Sequence, residues 1–191
     1  IVVFHSVWWQ VRDTRGGLRD GETDFVIAHP DFGILLVEVK GGHIRYEGQM
    51  GQWFSNDVPI KDPFKQGREA KYSLLEKLKE LAYWQNRWVT VGYAVAFPDV
   101  GVKGDLRLDA PRELILDASD MTGLSAWVNQ ALHHLQDRQP EGKPLGTGGV
   151  KELTDLLSPS WNLHSLLSTQ IVEEERELAR LTGEQFIMLD F

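Results

Sequence analysis

Two apolar runs separated by a short turn constrain this chain more than any other feature. Gly21-Glu22-Thr23-Asp24-Phe25-Val26-Ile27-Ala28 and Ile34-Leu35-Leu36-Val37-Glu38-Val39-Lys40 read as paired β-strands, with His29-Pro30-Asp31-Phe32-Gly33 as the turn. A hairpin centred on Asp31 sets Asp24 across from Glu38 and Glu22 across from Lys40, with all four side chains on one face. A slip of one residue would send Asp24 and Glu38 to opposite faces. Runs this apolar seldom carry an acid and a lysine two residues apart, because burying an unpaired charge costs on the order of several kcal/mol. Two facing carboxylates repel unless a divalent cation sits between them. The competing reading is a solvent-facing hairpin with Glu22 and Lys40 as a cross-strand ion pair. The strength of the apolar flanks favours a site.

The rest of the chain reads as an alternation of strands and helices. Ile1 to Gln10 is rich in β-branched and aromatic residues and reads as a strand, followed by a polar loop over Asp13–Gly21. Ile44–Tyr46 and Gln52–Phe54 suggest a smaller hairpin around Gly48 and Gly51. Asp62 before Pro63 marks a helix start, and Leu74, Leu75, Leu78, Leu81 and Ala82 carry its apolar stripe to about Trp84. Val89–Phe97 reads as a buried central strand, Glu113–Leu116 as another, and Thr122–Gln136 as an amphipathic helix. The composition then turns to Gln, Pro, Gly and Thr, so 138–149 reads as a linker, Gly146-Thr147-Gly148-Gly149 included. Beyond it come a short helix over Val150–Leu157, a longer one over Leu163–Arg180, and a capping box at Thr182-Gly183-Glu184-Gln185.

Composition narrows the function classes. The chain has no cysteine, which removes disulfides and thiolate zinc sites, and no apolar stretch or signal peptide points to a membrane. A cytoplasmic compartment and no membrane partner are expected. A net charge of −8 argues against broad attraction to phosphate backbones, although Lys61, Lys65, Arg68, Lys71, Lys77, Lys79 and Arg87 cluster in one segment. Among the seven tryptophans core roles are expected, with Trp53 the one placed to stack on a base. His133 and His134 face different directions on their helix and make a poor metal pair.

The stretch Gly21-Glu22-Thr23-Asp24 with Glu38-Val39-Lys40-Gly41-Gly42, followed by Gly48, Trp53 and Asp62-Pro63-Phe64-Lys65-Gln66, resembles the NERD, or nuclease-related, domain of the PD-(D/E)xK phosphodiesterase superfamily. The resemblance covers roughly Ile1 to Leu116. It implies an α/β fold of the restriction-endonuclease-like kind, with a mixed central sheet flanked by helices and here a helical C-terminal extension. It further implies a catalytic set of Asp24, Glu38, Lys40 and Gln66, and Mg²⁺ or Mn²⁺ held by Asp24, Glu38 and the Val39 carbonyl, with Glu22 in an outer shell. Lys61, Lys65, Arg68, Lys71 and Trp53 are the expected nucleic-acid contacts, and DNA the expected partner. Thr23 stands where the superfamily often has proline, and the helix that commonly opens the fold precedes the first residue here.

Glu173-Glu174-Glu175-Arg176-Glu177 through Leu181-Thr182-Gly183-Glu184-Gln185-Phe186 resembles the run into the first helix of UvrD/Rep-like helicases, where Gln185 matches the adenine-reading glutamine. The expected organisation is therefore a nuclease-like domain over 1–137, a linker over 138–149, and a helical extension over 150–191 leading into a helicase domain in cis, the chain being a fragment of a longer DNA-repair or DNA-processing protein. Two alternatives stand beside the nuclease: a catalytically weak module that positions DNA for a helicase, and an assembly domain that forms a homo-oligomer or other complex through its C-terminal helices.

Overall fold

The two apolar runs pair in the register centred on Asp31. In the structure, a computed structural model that describes residues 1–12 and 17–159, β2 (Leu18–Ala28) and β3 (Gly33–Val39) are antiparallel, and Phe25 faces Val37, Val26 Leu36, Ile27 Leu35 and Ala28 Ile34. The His29 N–H closes the turn on the Gly33 carbonyl at 2.9 Å. β1 (Val2–Arg12) lies antiparallel on the other side of β2. Its second half alternates as a half-buried strand must, with Val7, Trp9 and Val11 buried and Trp8, Gln10 and Arg12 exposed. The polar loop expected over Asp13–Gly21 is shorter than that, because Leu18 to Gly21 pair with Arg12 to Trp9 and belong to β2.

Beyond β3 the chain makes a parallel crossover. β7 (Thr90–Phe97) runs parallel to β3, and β8 (Ile115–Asp117) parallel to β7, giving the mixed order β1-β2-β3-β7-β8. The crossover carries a second, smaller sheet of β4 (Ile44–Glu47), β5 (Gln52–Ser55) and β6 (Val58–Ile60), and then α1 (Pro63–Lys79). β4 and β5 are the expected small hairpin. β6 is an addition that Pro59 conceals in the sequence, since proline belongs only on a sheet edge, which is where β6 lies.

The Asp62 carboxylate caps α1 by accepting from the Phe64 N–H at 2.9 Å and the Lys65 N–H at 3.1 Å, with Pro63 opening the helix. The helix ends at Lys79 rather than near Trp84, because Leu81 turns extended and Ala82–Trp84 form a separate 3₁₀ turn. Ala70, Leu74 and Leu78 bury one face of α1 against Phe4, Val26, Ile34, Leu36 and Val91. At Gly67 a side chain would lie 2.9 Å from the Tyr93 ring, so glycine there lets the helix approach β7 closely. The opposite face of the sheet is covered by α2 (Leu124–Arg138), whose Trp127, Ala131, Leu132 and Leu135 pack on Ile27, Leu35, Val37, Ala94 and Ala96. Each fully buried leucine of this kind contributes roughly 1.5–3 kcal/mol.

The segment read as a linker over 138–149 is held against the fold. Gly146 donates to the Pro30 carbonyl at 2.7 Å, Lys143 donates to the Trp88 carbonyl at 2.7 Å, and Leu145 is buried in the core beside Trp84 and Leu153. Gly146 to Gly149 form the first turn of α3 (Gly146–Leu157) instead of a flexible connection. Leu145 and Leu153 supply the apolar anchors that outweigh the local glycine content. Residues Ile1–Ser158 make one compact unit. The helix expected over Leu163–Arg180, the capping box, Trp161, His164 and Gln185 lie outside the described residues. Among the described residues no helix is long and apolar enough to cross a membrane.

Asp62 also accepts from the Arg107 guanidinium at 2.8 Å, and Arg107 in turn lies over the rings of Tyr46, Trp53 and Phe64. Burial alone would raise the Asp62 pKa, yet Arg107 and the Lys65 and Phe64 N–H groups hold it below the ordinary carboxylate value. Asp62→Ala is expected to lower stability by about 1–2 kcal/mol through loss of the cap. Urea unfolding of the variant, followed by circular dichroism, checks it.

Candidate active site

The carboxyl end of β3 is where charge enters the core. Main-chain pairing of β2 with β3 stops at Phe25–Val37, and β2 then continues with β1 alone. Asp24 sits at this divergence, and its Oδ2 accepts from the Val39 N–H at 2.7 Å, so a side chain replaces the main-chain acceptor that β2 would have offered. On the other flank the Lys40 N–H bonds the Ala96 carbonyl at 2.9 Å, which extends the β3–β7 ladder past the strand and fixes Lys40. Thr23 is buried and donates its hydroxyl to the Val37 carbonyl at 3.3 Å. That bond ties β2 to β3 one residue before Asp24.

Asp24, Glu38, Lys40, Glu22 and Gln66 line one cleft of about 370 Å³. An adjoining cleft of about 400 Å³ shares Glu22, Glu38 and Gln66 and adds Arg19, Asp20, Lys61, Glu69, Ala70 and Ser73. The carboxylates of Asp24 and Glu38 thus open on the same space, as the register requires. Glu38 is 7% exposed, and Lys40 Nζ lies 2.7 Å from its Oε1. The ion pair is therefore Glu38–Lys40, not the cross-strand Glu22–Lys40 pair of the solvent-facing alternative. Burial raises the Glu38 carboxyl pKa, the Lys40 hydrogen bond and charge oppose the rise, and the charges of Asp24 and Glu22 add to it. Gln66 comes in on the first turn of α1, its N–H bonded to the Asp62 carbonyl at 3.0 Å. Its Oε1 is buried and has no hydrogen-bond partner among the described residues, an acceptor of the kind that folded proteins ordinarily satisfy.

The expected nucleic-acid contacts divide. Lys61 is exposed on the cleft rim, and Lys65 faces a neighbouring depression with its Nζ 3.9 Å from Glu69. Arg68 and Lys71 do not line the cleft. Arg68 pairs with Asp109 at 3.6 Å, and Lys71 lies 4.5 Å over the Tyr72 ring. Trp53 is 2% exposed and packs among Tyr46, Phe64 and Phe97, so it is not available to stack on a base. Burial on an amphipathic small sheet decides this, and a single tryptophan in a short hairpin does not reveal it. The exposed tryptophan at the cleft is Trp8, on β1 opposite Glu22. Its alternation with Val7, Trp9 and Val11 was the available signal. His133 is exposed against the Phe32 ring, and His134 lies 3.9 Å from Glu113, remote from the cleft residues.

The NERD family model, that of the nuclease-related domain, matches residues 2–98, just over half of the 191-residue chain. The chain belongs to the NERD family, and the matched span runs from β1 through the crossover to β7 and contains every residue named around the cleft. Comparison with curated proteins and with solved structures gives no match.

A carboxyl whose folded pKa lies above the unfolded value binds its proton more tightly in the native state. Stability therefore falls as pH rises from the ordinary glutamate value of 4.5 through the raised one. Glu38→Gln is expected to remove this fall, so that in EDTA its melting temperature exceeds that of the wild type at neutral pH and converges with it below about pH 4. Thermal melts across that range are the check.

Proposed function

We propose that the cleft is the active site of a divalent-cation-dependent nuclease that hydrolyses DNA phosphodiesters. The observation that carries the reading is the convergence of Asp24 and buried Glu38 with Lys40 and the unpartnered Gln66 Oε1 at the carboxyl end of a strand flanked by a parallel neighbour. Membership of a nuclease-related family supports the same class of chemistry.

The donor set suits a hard cation. Asp24, Glu38 and the Val39 carbonyl offer only oxygen, and the second Asp24 oxygen carries no hydrogen bond among the described residues. Among the described residues no group of three or more His, Cys, Asp or Glu is arranged to hold a metal by itself. Mg²⁺ and Mn²⁺ take one or two carboxylates and complete their shells with water and substrate phosphate. Bound there, the cation would polarise the scissile phosphate and lower the pKa of a coordinated water.

The protein groups have separate tasks. Water oxygen forms a bond to phosphorus while the bond from phosphorus to one sugar oxygen breaks; the departing oxygen takes a proton from solvent and the attacking water releases one. Gln66 Oε1 accepts a hydrogen bond from the attacking water and orients it. Lys40 donates toward a phosphoryl oxygen as negative charge accumulates there, and its bond to Glu38 keeps the ammonium at the cleft. Glu22 contributes an outer carboxylate. The helicase-like run over 173–186 favours a role beside a motor domain in DNA processing, with Gln185 acting only in that context.

Plasmid and single-stranded DNA cleavage in Mn²⁺ tests the reading. Asp24→Ala, Glu38→Ala and Lys40→Ala are each expected to lower the rate by about 100-fold or more with folding intact. Equal residual activity in wild type and variants would mark a contaminant and remove the nuclease assignment. DNA affinity that survives EDTA and Asp24→Ala without any cleavage would instead favour a positioning module.

A further inference from the structure

Among the described residues that line the cleft, Trp8 is the one large apolar side chain left in water. It is 70% exposed, while Trp9 beside it is 5% exposed and donates its indole N–H to the Ser73 hydroxyl at 3.0 Å. Trp8 lies across from Glu22 and lines the same cleft as Asp24, Glu38, Lys40 and Gln66. Its position follows from a break in β1. Pairing with β2 holds at His5–Phe25, lapses at Ser6, and resumes at Val7–Thr23, and Ser6 has φ of 51°. A serine in that left-handed region is uncommon, and the break falls opposite Asp24, so the two strands are interrupted together where the acid leaves the ladder.

We propose that Trp8 is a stacking platform for an unpaired base of single-stranded DNA at the mouth of the cleft, an inference that rests on the nuclease reading and names the form of its substrate. Charge points the same way. The two adjoining clefts hold Asp20, Glu22, Asp24, Glu38 and Glu69 against three cations, of which Arg19 bonds Glu76 at 2.5 Å, Lys40 bonds Glu38, and Lys61 stands exposed on the rim. Phosphate attraction is therefore a weak source of affinity here, and base stacking is a strong one that tolerates any sequence. Within a duplex both faces of each internal base are covered by its neighbours, so an exposed indole gains little there. An unstacked base gives it a whole face. The other tryptophan this exposed among the described residues, Trp88 at 76%, lines a separate depression with Arg87 and Lys143 and serves as an internal control.

Binding measured in EDTA separates this proposal from the chemistry. Fluorescence anisotropy of a labelled short oligothymidylate, an abasic strand of the same length and a blunt duplex is recorded for wild type, Trp8→Ala, Trp8→Phe and Trp88→Ala. Trp8→Ala is expected to weaken oligothymidylate binding about tenfold or more, with Trp8→Phe retaining most of it and Trp88→Ala all of it. The abasic strand is expected to bind weakly and to ignore the substitution. Equal affinity of wild type and Trp8→Ala, an abasic strand that binds as well as oligothymidylate, a wild type that binds neither, or a loss traced by sedimentation to a changed oligomeric state would each overturn the proposal. Trp8-dependent binding without Mn²⁺ cleavage would keep the platform and remove the nuclease.

Discussion

A carboxylate enclosed at the end of an apolar strand has to be compensated, and the compensation of Glu38 organises the surroundings. Lys40 reaches back along the same strand to supply a counter-charge, and it does so because a β-strand returns to the same face every second residue. The ammonium offsets only part of the cost of burial, since the Glu38 pKa stays raised. What remains is a group held in a state that it would relinquish if free to do so, and proteins accumulate such residual strain where ligands bind.

The parallel crossover turns this local arrangement into a cleft. β3 and β7 end side by side, α1 packs across them, and the chain between must leave the sheet and come back. It returns through Asp62, which fixes the first turn of α1 so that Gln66 meets the acids from the far side. Asp62 serves three elements at once: the helix start, Arg107 in the loop before β8, and through Arg107 the aromatic rings of the small sheet. The site's third wall is therefore anchored by contacts that never touch the cleft.

Much of this was legible in the sequence because it is set by local rules. Alternation fixed the register of β2 and β3, and the Asp-Pro pair announced the start of α1. From the register the meeting of Asp24, Glu38 and Lys40 follows, whereas Gln66 was expected only through the resemblance to the NERD domain, because its place depends on how α1 packs across the sheet. The errors lie where tertiary packing overrides composition. Glycines at 146, 148 and 149 argue for a linker, but Leu145 and Leu153 have a core to enter and the segment becomes a helix. Lys71 and Arg68 share a basic run with Lys61, yet helix geometry turns them onto another face. Trp53 is covered and Trp8 exposed for the same reason: which tryptophan is covered depends on what lies above the strand.

The hydrogen bond from the Val39 N–H to Asp24 has an evolutionary corollary. Because a side chain, not a backbone carbonyl, closes the ladder at that point, the ribbon of β1 and β2 beyond it is tied to the rest of the sheet through few main-chain bonds. Length variation is expected around the Arg12–Leu18 connection, where it leaves the Phe25–Val37 pairing untouched. The paired strands have no such latitude: one residue gained or lost between Asp24 and Ala28 or between Gly33 and Glu38 would invert the parity that brings the acids together, whereas the turn at His29–Phe32 can absorb a change of length.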